Sequence, residues 1–435
     1  MQRKYSSEIN AAMDGTTITV AGWVHDVRDL GGLRFLLLRD REGLIQITLP
    51  KKYVPKEVFE SSSGLAKESV VAVEGDVKAE EKAPGGYEII PKKIEVLNPS
   101  AIPLPLDPTG RVDANLDTRL DHRTMDLRRE RVRAIFRIRN IALAEGRQYL
   151  RSKGFLEVHT PRIISTASEG GTELFPIAYF EREAFLAQSP QLYKQMLMAT
   201  GMDRVYEVAT YFRAEEHDTI WHLNEVTALD AEMAFIKDEN DIMDIIEALV
   251  LAIIRGIKDR CIQPLKDLER EVPEPKTPFP RLRYDDAIKI LEEEGLKVSF
   301  GEDLTTESEK KLGEAMMRKG YELYFVTKYP LQVKPFYTMP DEDAKYSNSF
   351  DLEFKGREVV SGSQRIHIPE LLARMIKEKG LSPENFGSYL EAFKYGMPPH
   401  GGFGLGMERF LMQLLDLPNI REAVLFPRDR KRLEP

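Results

Sequence analysis

Short alternating stretches of apolar and polar residues dominate the first quarter of the chain. Thr17-Ile18-Thr19-Val20-Ala21-Gly22-Trp23-Val24 alternates as a half-buried strand does. Arg34 to Arg39 and Leu44 to Leu49 follow it, with Arg41-Glu42-Gly43 as a hairpin turn. Val70 to Val77 and Tyr87 to Val96 supply two more strands around a turn at Pro84-Gly85-Gly86. Five short strands between residues 17 and 98 predict a small closed barrel of the oligonucleotide-binding kind. Four prolines and a glycine between residues 99 and 110 then mark a stiff linker.

From about residue 130 the period changes from two to helical. Ile135, Ile138, Ala142 and Tyr149 form an apolar stripe that predicts a helix over 131–153. Strand and helix signals alternate from there to residue 435, as in a large α+β domain. Asp238 to Arg260 reads as a helix inside an insertion of about 237–330. Glu292 to Glu309 is acidic and reads as a solvated face. The organisation is therefore a β-barrel over 1–102, a hinge over 103–130 and a large α+β domain over 131–435.

Composition narrows the function classes. At 42% hydrophobic and 31% charged residues the chain is ordinary for a soluble protein. No apolar run approaches the ~20 residues that span a bilayer. The first residues lack the apolar region of a secretory signal, and Cys261 is the single cysteine, so a reducing cytoplasm is expected. A net charge of −9 gives little long-range attraction to polyanions, so nucleic-acid contact has to come from local groups. The seven histidines make no HExxH or HxxxH pair, which argues against a histidine metal site.

The densest chemistry lies at residues 212–225, Phe-Arg-Ala-Glu-Glu-His-Asp-Thr-Ile-Trp-His-Leu-Asn-Glu. Apolar strand-like flanks on both sides predict an antiparallel pair joined by a long charged loop. Arg213 and Glu215, two apart, would share one face of the strand. A guanidinium beside a carboxylate suits a nucleotide, the cation for phosphate and the acceptor for an exocyclic amine. A surface hairpin with an ordinary ion pair is the plain alternative.

Two further segments combine with it, Gly154-Phe155-Leu156-Glu157-Val158-His159-Thr160-Pro161 and Gly401-Gly402-Phe403-Gly404-Leu405-Gly406-Met407-Glu408-Arg409. In this order the three resemble motifs 1, 2 and 3 of the class II aminoacyl-tRNA synthetases. That resemblance covers almost the whole chain and implies ATP as substrate, Mg²⁺ as its counter-ion and a homodimer with Pro161 at the interface. It assigns Arg213 to the α-phosphate and the substrate carboxylate. Glu215 falls to the adenine amine and Arg409 to adenine and γ-phosphate, with Gly402, Gly404 and Gly406 as close-approach positions. His222 joins the ATP set.

Gln188 to Gln195 and Ser361 to His367 resemble segments of the aspartyl-tRNA synthetases. There Lys194 and Arg365 would grip the side-chain carboxylate of aspartate, a pair repulsive to lysine and wasted on asparagine. Glu169, Gln191 and Asp230 match positions around the substrate ammonium. Asp351 and Glu358 match carboxylates that bind magnesium on ATP, with Ser361 as a further ligand. In the barrel, Arg28, Phe35 and Gln46 match positions that contact the central anticodon base. Phe35 as a plain core residue is the bland alternative.

The chain lacks the large extra domain of bacterial aspartyl enzymes and the basic eukaryotic extension, so the resemblance is to the archaeal type. Relatives restricted to tRNA(Asp) carry Trp where this chain has His25 and Lys where it has Pro84. The departure implies a non-discriminating enzyme that also charges tRNA(Asn), with an amidotransferase downstream. Trp221 stands where an arginine is usual, and Ile366-His367-Ile368 replaces a more charged version. An ammonia-dependent asparagine synthetase on the same fold is one rival, opposed by the intact barrel. A catalytically dead RNA-binding protein is another, opposed by the complete Arg213, Glu215, Asp351, Glu358 and Arg409 set.

Overall fold

The computed structural model describes residues 2–165, 174–215 and 218–435. The chain divides into two compact units, Met1–Ala114 and Asn115–Pro435.

In the first unit β1 (Thr17–Asp29), β2 (Leu33–Arg39), β3 (Leu44–Pro50), β4 (Val70–Ala79) and β5 (Tyr87–Asn98) close into a barrel in the order β1-β2-β3-β5-β4. Alternation decides what faces inward: Val20, Val24, Leu36, Leu38, Ile45, Ile47, Val71, Val73 and Ile89 fill the core. A bulge between Val24 and Asp26 shifts the register of β1 against β2 and re-aims the side chains beyond it.

Among the described residues, the main sheet of the second unit has eight strands. They are β6 (Leu156–Glu157), β7 (Arg204–Phe212), β8 (Glu225–Ala234), β9 (Arg281–Arg283), β10 (Leu323–Thr327), β11 (Ser349–Phe354), β12 (Glu358–Gln364) and β13 (His400–Gly406). Their order is β9-β10-β11-β12-β13-β8-β7-β6, antiparallel except for the pairs β6/β7 and β9/β10. The segment 237–330 thus donates two strands to the main sheet. Helices α1 (Glu130–Ser152) and α2 (Glu239–Arg260) pack on one sheet face, Ile138 and Ala142 with Ile246 and Ile253 against Leu229, Phe403 and Leu405. The Asp238 side chain caps α2 by accepting from the Asn240 amide at 2.8 Å.

The acidic stretch expected to be solvated does not all face water. Glu309, on the helix Thr306–Arg318, turns inward to Arg357 at 3.0 Å. Burial, and next the charge of Glu358, push its carboxyl up to about 7.

Candidate active site and anticodon-reading face

Because side chains alternate along a strand, one face of the second unit's sheet is apolar and the other carries the chemistry. Leu229, Ala231, Leu352, Phe350, Phe403 and Leu405 go to the core. Register then aligns the opposite face in two rows across four neighbouring strands. Asp351 pairs with Ser361, Ser361 with Gly404, and Gly404 with Asp230. One step along, Ser349 pairs with Ser363, Ser363 with Gly402, and Gly402 with Glu232. A cavity of about 240 Å³ opens over these rows, and Gln191, Arg213, Glu215, His222, Arg365 and Arg409 are among its lining residues.

One end of the cavity is a buried charge network. Lys194, on the helix Gln191–Met198, donates to Asp230 Oδ1 at 2.9 Å and to the Phe403 carbonyl at 3.0 Å. Its Nζ is also 3.6 Å from Glu232. Arg365 reaches the same Glu232 through Nε at 3.0 Å, Ser363 Oγ at 2.7 Å and Gln191 Oε1 at 3.2 Å. Glu232 is fully buried. Burial pushes its carboxyl up, but Arg365 and then Lys194 more than offset that, leaving it below the usual carboxylate range. The two cations expected to grip a substrate are therefore held in place by two carboxylates of the protein. Two polar atoms of this network are buried without a hydrogen-bond partner, Asp230 Oδ2 and Gln191 Nε2. No described residue supplies the partner that each needs.

The other end is looser. β7 ends at Phe212, so Arg213 and Glu215 lie in the loop and not, as their two-residue spacing predicts, on one face of the strand. They converge nonetheless, 4.0 Å apart, because Asn224 Nδ2 donates to both of their carbonyls and draws the loop shut. Glu215 is also 3.6 Å from His222 Nε2, and Arg409 lies 3.7 Å from Glu358. The Arg213 guanidinium rests over the Tyr211 ring at 5.4 Å. Trp221 is not isolated: the Arg357 guanidinium lies 4.3 Å from its ring centre. Glu169 lies outside the described residues.

The three glycines differ. Gly404 and Gly406 line the cavity. At Gly402 a Cβ would sit 2.1 Å from Glu232 Oε2 and 2.2 Å from the Ala231 carbonyl, so its close approach is to the neighbouring strand. Gly402→Ala is expected to cost about 1–3 kcal/mol of stability, read as a lower urea midpoint. An unchanged midpoint would show that β13 can move away from β8.

Asp351, Glu358 and Ser361 meet the requirements of a hard cation in part. Asp351 Oδ1 is buried and without a hydrogen-bond partner among the described residues, while Oδ2 accepts from Lys334 Nζ at 2.7 Å. Burial first, then the charge of Asp351, push the Glu358 carboxyl up, a strain a divalent ion would relieve. All three donors are oxygens, as Mg²⁺ prefers. Among the described residues no group of three or more His, Cys, Asp or Glu could hold a metal alone. An ion here would draw its remaining ligands from phosphate or water.

On the barrel, Phe35 stands outside the core cluster and is partly exposed. Arg28 is its register partner on β1 and Thr48 its partner on β3. Gln46 Nε2 lies 3.3 Å from Glu88 Oε2, which also accepts from Thr48 at 2.6 Å, while Lys78 bonds Oε1 at 2.8 Å. Burial pushes the Glu88 carboxyl up, yet Lys78 and Thr48 hold it below its usual range. His25 Nδ1 is 2.9 Å from Arg39 Nη1. A guanidinium only donates, so Nδ1 accepts and the ring proton sits on Nε2. Pro84 is exposed at the start of the turn Pro84–Gly86.

Glu232, Lys334 and Arg357 were not singled out from the sequence. Glu232 had a signal, since it is two residues from Asp230 and so shares its face. The other two are fixed by contacts between segments far apart in the chain.

This fold and site define a nucleotide-dependent ligase with a nucleic-acid-binding barrel. The family of class II tRNA synthetases (D, K and N) matches residues 115–430, and an OB-fold nucleic acid binding domain matches residues 18–97. The chain belongs to the class II tRNA synthetases of this group. It is 56% identical over 431 residues to an aspartate–tRNA(Asp/Asn) ligase of Methanopyrus kandleri, covering 99% of each chain. It is 54% identical over 437 residues to an aspartate–tRNA(Asp) ligase of Pyrococcus abyssi, covering 100% of each. Among solved structures, an asparaginyl-tRNA synthetase from Pyrococcus horikoshii complexed with asparaginyl-adenylate superposes with a TM-score of 0.93, at 35% identity and with full coverage of both chains.

Proposed function

We propose that the chain is an aspartate–tRNA ligase that charges both tRNA(Asp) and tRNA(Asn). The observation that carries the amino-acid choice is the buried pocket in which Lys194 and Arg365 flank Glu232, with Asp230 Oδ2 and Gln191 Nε2 unpartnered among the described residues. L-Aspartate would complete that set. Its ammonium suits Asp230 and Glu169, and its side-chain carboxylate suits the N–H groups that Lys194 and Arg365 have to spare. An asparagine amide would turn donors toward the same cations, and lysine would add a like charge.

Arg213 then faces the α-carboxylate and the α-phosphate together. An oxygen of the α-carboxylate attacks the α-phosphorus in line, the bond to the bridging oxygen breaks, and pyrophosphate leaves with the electron pair. Arg213 and Arg409 counter the charge that gathers on the phosphates, and His222 and Ser361 add polar contacts. Glu215 accepts from the adenine amine, while Gly404 and Gly406 keep that wall low. Mg²⁺ held by Glu358 and Asp351 with Ser361 would neutralise part of the triphosphate charge. In the second step a hydroxyl of the terminal tRNA ribose attacks the carbonyl of aspartyl-adenylate. The acyl–phosphate bond breaks and AMP departs, its phosphate taking up the hydroxyl proton.

Relaxed tRNA choice rests on the barrel, because relatives of both printed specificities are 54–56% identical to this chain. His25 and Pro84 offer neither a bulky ring nor a cation with which to reject one pyrimidine. Arg28, Phe35 and Gln46 would take the central anticodon base by stacking and hydrogen bonding. Phe35→Ala is expected to lower kcat/KM for tRNA about 10- to 100-fold while aspartate-dependent ATP–pyrophosphate exchange is kept. A parallel fall in exchange would mean that the ring serves folding. The decisive test charges tRNA(Asp) and tRNA(Asn) transcripts side by side. Comparable rates are expected, and His25→Trp with Pro84→Lys should separate them. Rejection of tRNA(Asn) by more than ~10³, about 4 kcal/mol, would refute the relaxed specificity.

A homodimer fits the apolar groove at Val158, Pro161, Met196, Leu197, Met202 and Tyr395. Among the described residues no helix is long and apolar enough to cross a membrane, in keeping with action in the cytoplasm. Aspartyl-tRNA(Asn) would pass to a tRNA-dependent amidotransferase.

A further inference from the structure

Trp221 and Arg357 meet where two segments of the cavity wall approach each other. Trp221 lies between Glu215 and Asn224 in the loop after β7, beside His222, and both line the cavity. Arg357 directly precedes Glu358, which lines it from the hairpin between β11 and β12. The guanidinium carbon of Arg357 is 4.3 Å from the indole centre. Its Nη1 also donates to Glu309 Oε2 at 3.0 Å and to the Thr306 carbonyl at 3.2 Å. The Arg357 side chain is 14% exposed, so little water competes with the stacking.

The other anchors of this loop run elsewhere. Arg421 donates to Asp218 at 3.0 Å and to the Thr219 carbonyl at 3.0 Å, and Asn224 takes its amide bond to the Arg428 carbonyl at 2.8 Å. Those contacts fix the loop to the C-terminal segment. The indole and Arg357 instead tie it to the hairpin that carries Glu358. Beneath the indole, Leu223, Met412 and Ile420 form a small apolar cluster.

We propose that Arg357 is a positioning residue for ATP. By stacking on Trp221 it holds residues 218–224 against the Glu358 hairpin, and so sets the affinity of the phosphate-binding end and not that of the amino-acid pocket. This rests on the synthetase function proposed above. Glu309 and Thr306 keep the guanidinium plane oriented, which a flexible lysine ammonium could not reproduce.

The chain has two tryptophans, Trp23 in the barrel and Trp221 in the loop, so a Trp23→Phe chain reports on Trp221 alone. Titration of that chain with MgATP is expected to change its emission, and Arg357→Met in the same background should raise the Kd for MgATP about tenfold. In ATP–pyrophosphate exchange the KM for aspartate should stay within about twofold in every variant. Trp221→Phe keeps a π face and should hold the KM for ATP within about threefold of the unsubstituted chain. Trp221→Leu keeps an apolar side chain over Leu223 and Ile420 but no π face, and should raise it about tenfold. Equal ATP KM values for the Phe and Leu variants, or an unchanged Kd for MgATP in Arg357→Met, would overturn the proposal. Absence of aspartate-dependent exchange in the unsubstituted chain would instead defeat the synthetase function, and the fluorescence titration would still decide the role of Arg357.

Discussion

Replacing Lys194 by methionine is expected to lower kcat/KM for aspartate about a thousandfold while the KM for ATP stays within about threefold. Methionine matches the length of the lysine stem but brings no charge. Asp230 then loses its ion pair with Lys194, while Glu232 keeps the one with Arg365. Removing one partner from a buried ionic network costs about 3–5 kcal/mol, and here part of that cost falls on substrate binding. The ATP end should be spared, because Arg213, Glu215, Glu358 and Arg409 make their own contacts away from Lys194. Steady-state exchange kinetics with each substrate varied in turn would measure the split. Equal losses toward aspartate and ATP would show that Lys194 holds up the whole site and does not select the amino acid.

Glu232→Gln should have the largest effect on stability, a loss of about 3–5 kcal/mol near neutral pH. Gln keeps the shape but leaves Arg365 and Lys194 without their shared counter-charge. The pH dependence has a definite sign. The folded carboxyl lies below its ordinary value of 4.5, burial being outweighed by Arg365, Lys194 and His400. A depressed carboxyl stabilises the fold fully above its unfolded pKa and stops doing so as pH falls through its folded pKa. The gap between the parent chain and Glu232→Gln should therefore be constant above about pH 5 and narrow in acid. Urea unfolding at neutral and acidic pH would measure it. A gap that widens in acid would mean that Glu232 is protonated in the native state.

Much of this site is legible in the amino-acid sequence. The strand pair around residues 212–225 and the barrel strands follow from period-two alternation and turn residues, whereas the glycine run of β13 stood out by its resemblance to motif 3 and not as a strand. The same alternation places Asp230 and Glu232 on one face, although only Asp230 drew attention. What sequence spacing could not supply is register between distant strands. Arg365 bonds Glu232 from 133 positions away, and that meeting exists because β12, β13 and β8 lie side by side. Glu309 misled for the same reason, since an acidic stretch looks solvated until the hairpin bearing Arg357 is laid against it. The strand assignment of Arg213 and Glu215 failed locally: Asn224 closes the loop on their carbonyls and ends the regular ladder at Phe212.

The choice of aspartate is tested most directly by ATP–pyrophosphate exchange on the purified chain with aspartate, asparagine and lysine at equal concentrations. Exchange with aspartate is expected to exceed exchange with asparagine by about 10³ or more, with none from lysine, since the buried cations Lys194 and Arg365 then face a carboxylate and not an amide. Exchange that runs as fast with asparagine as with aspartate would contradict the assignment.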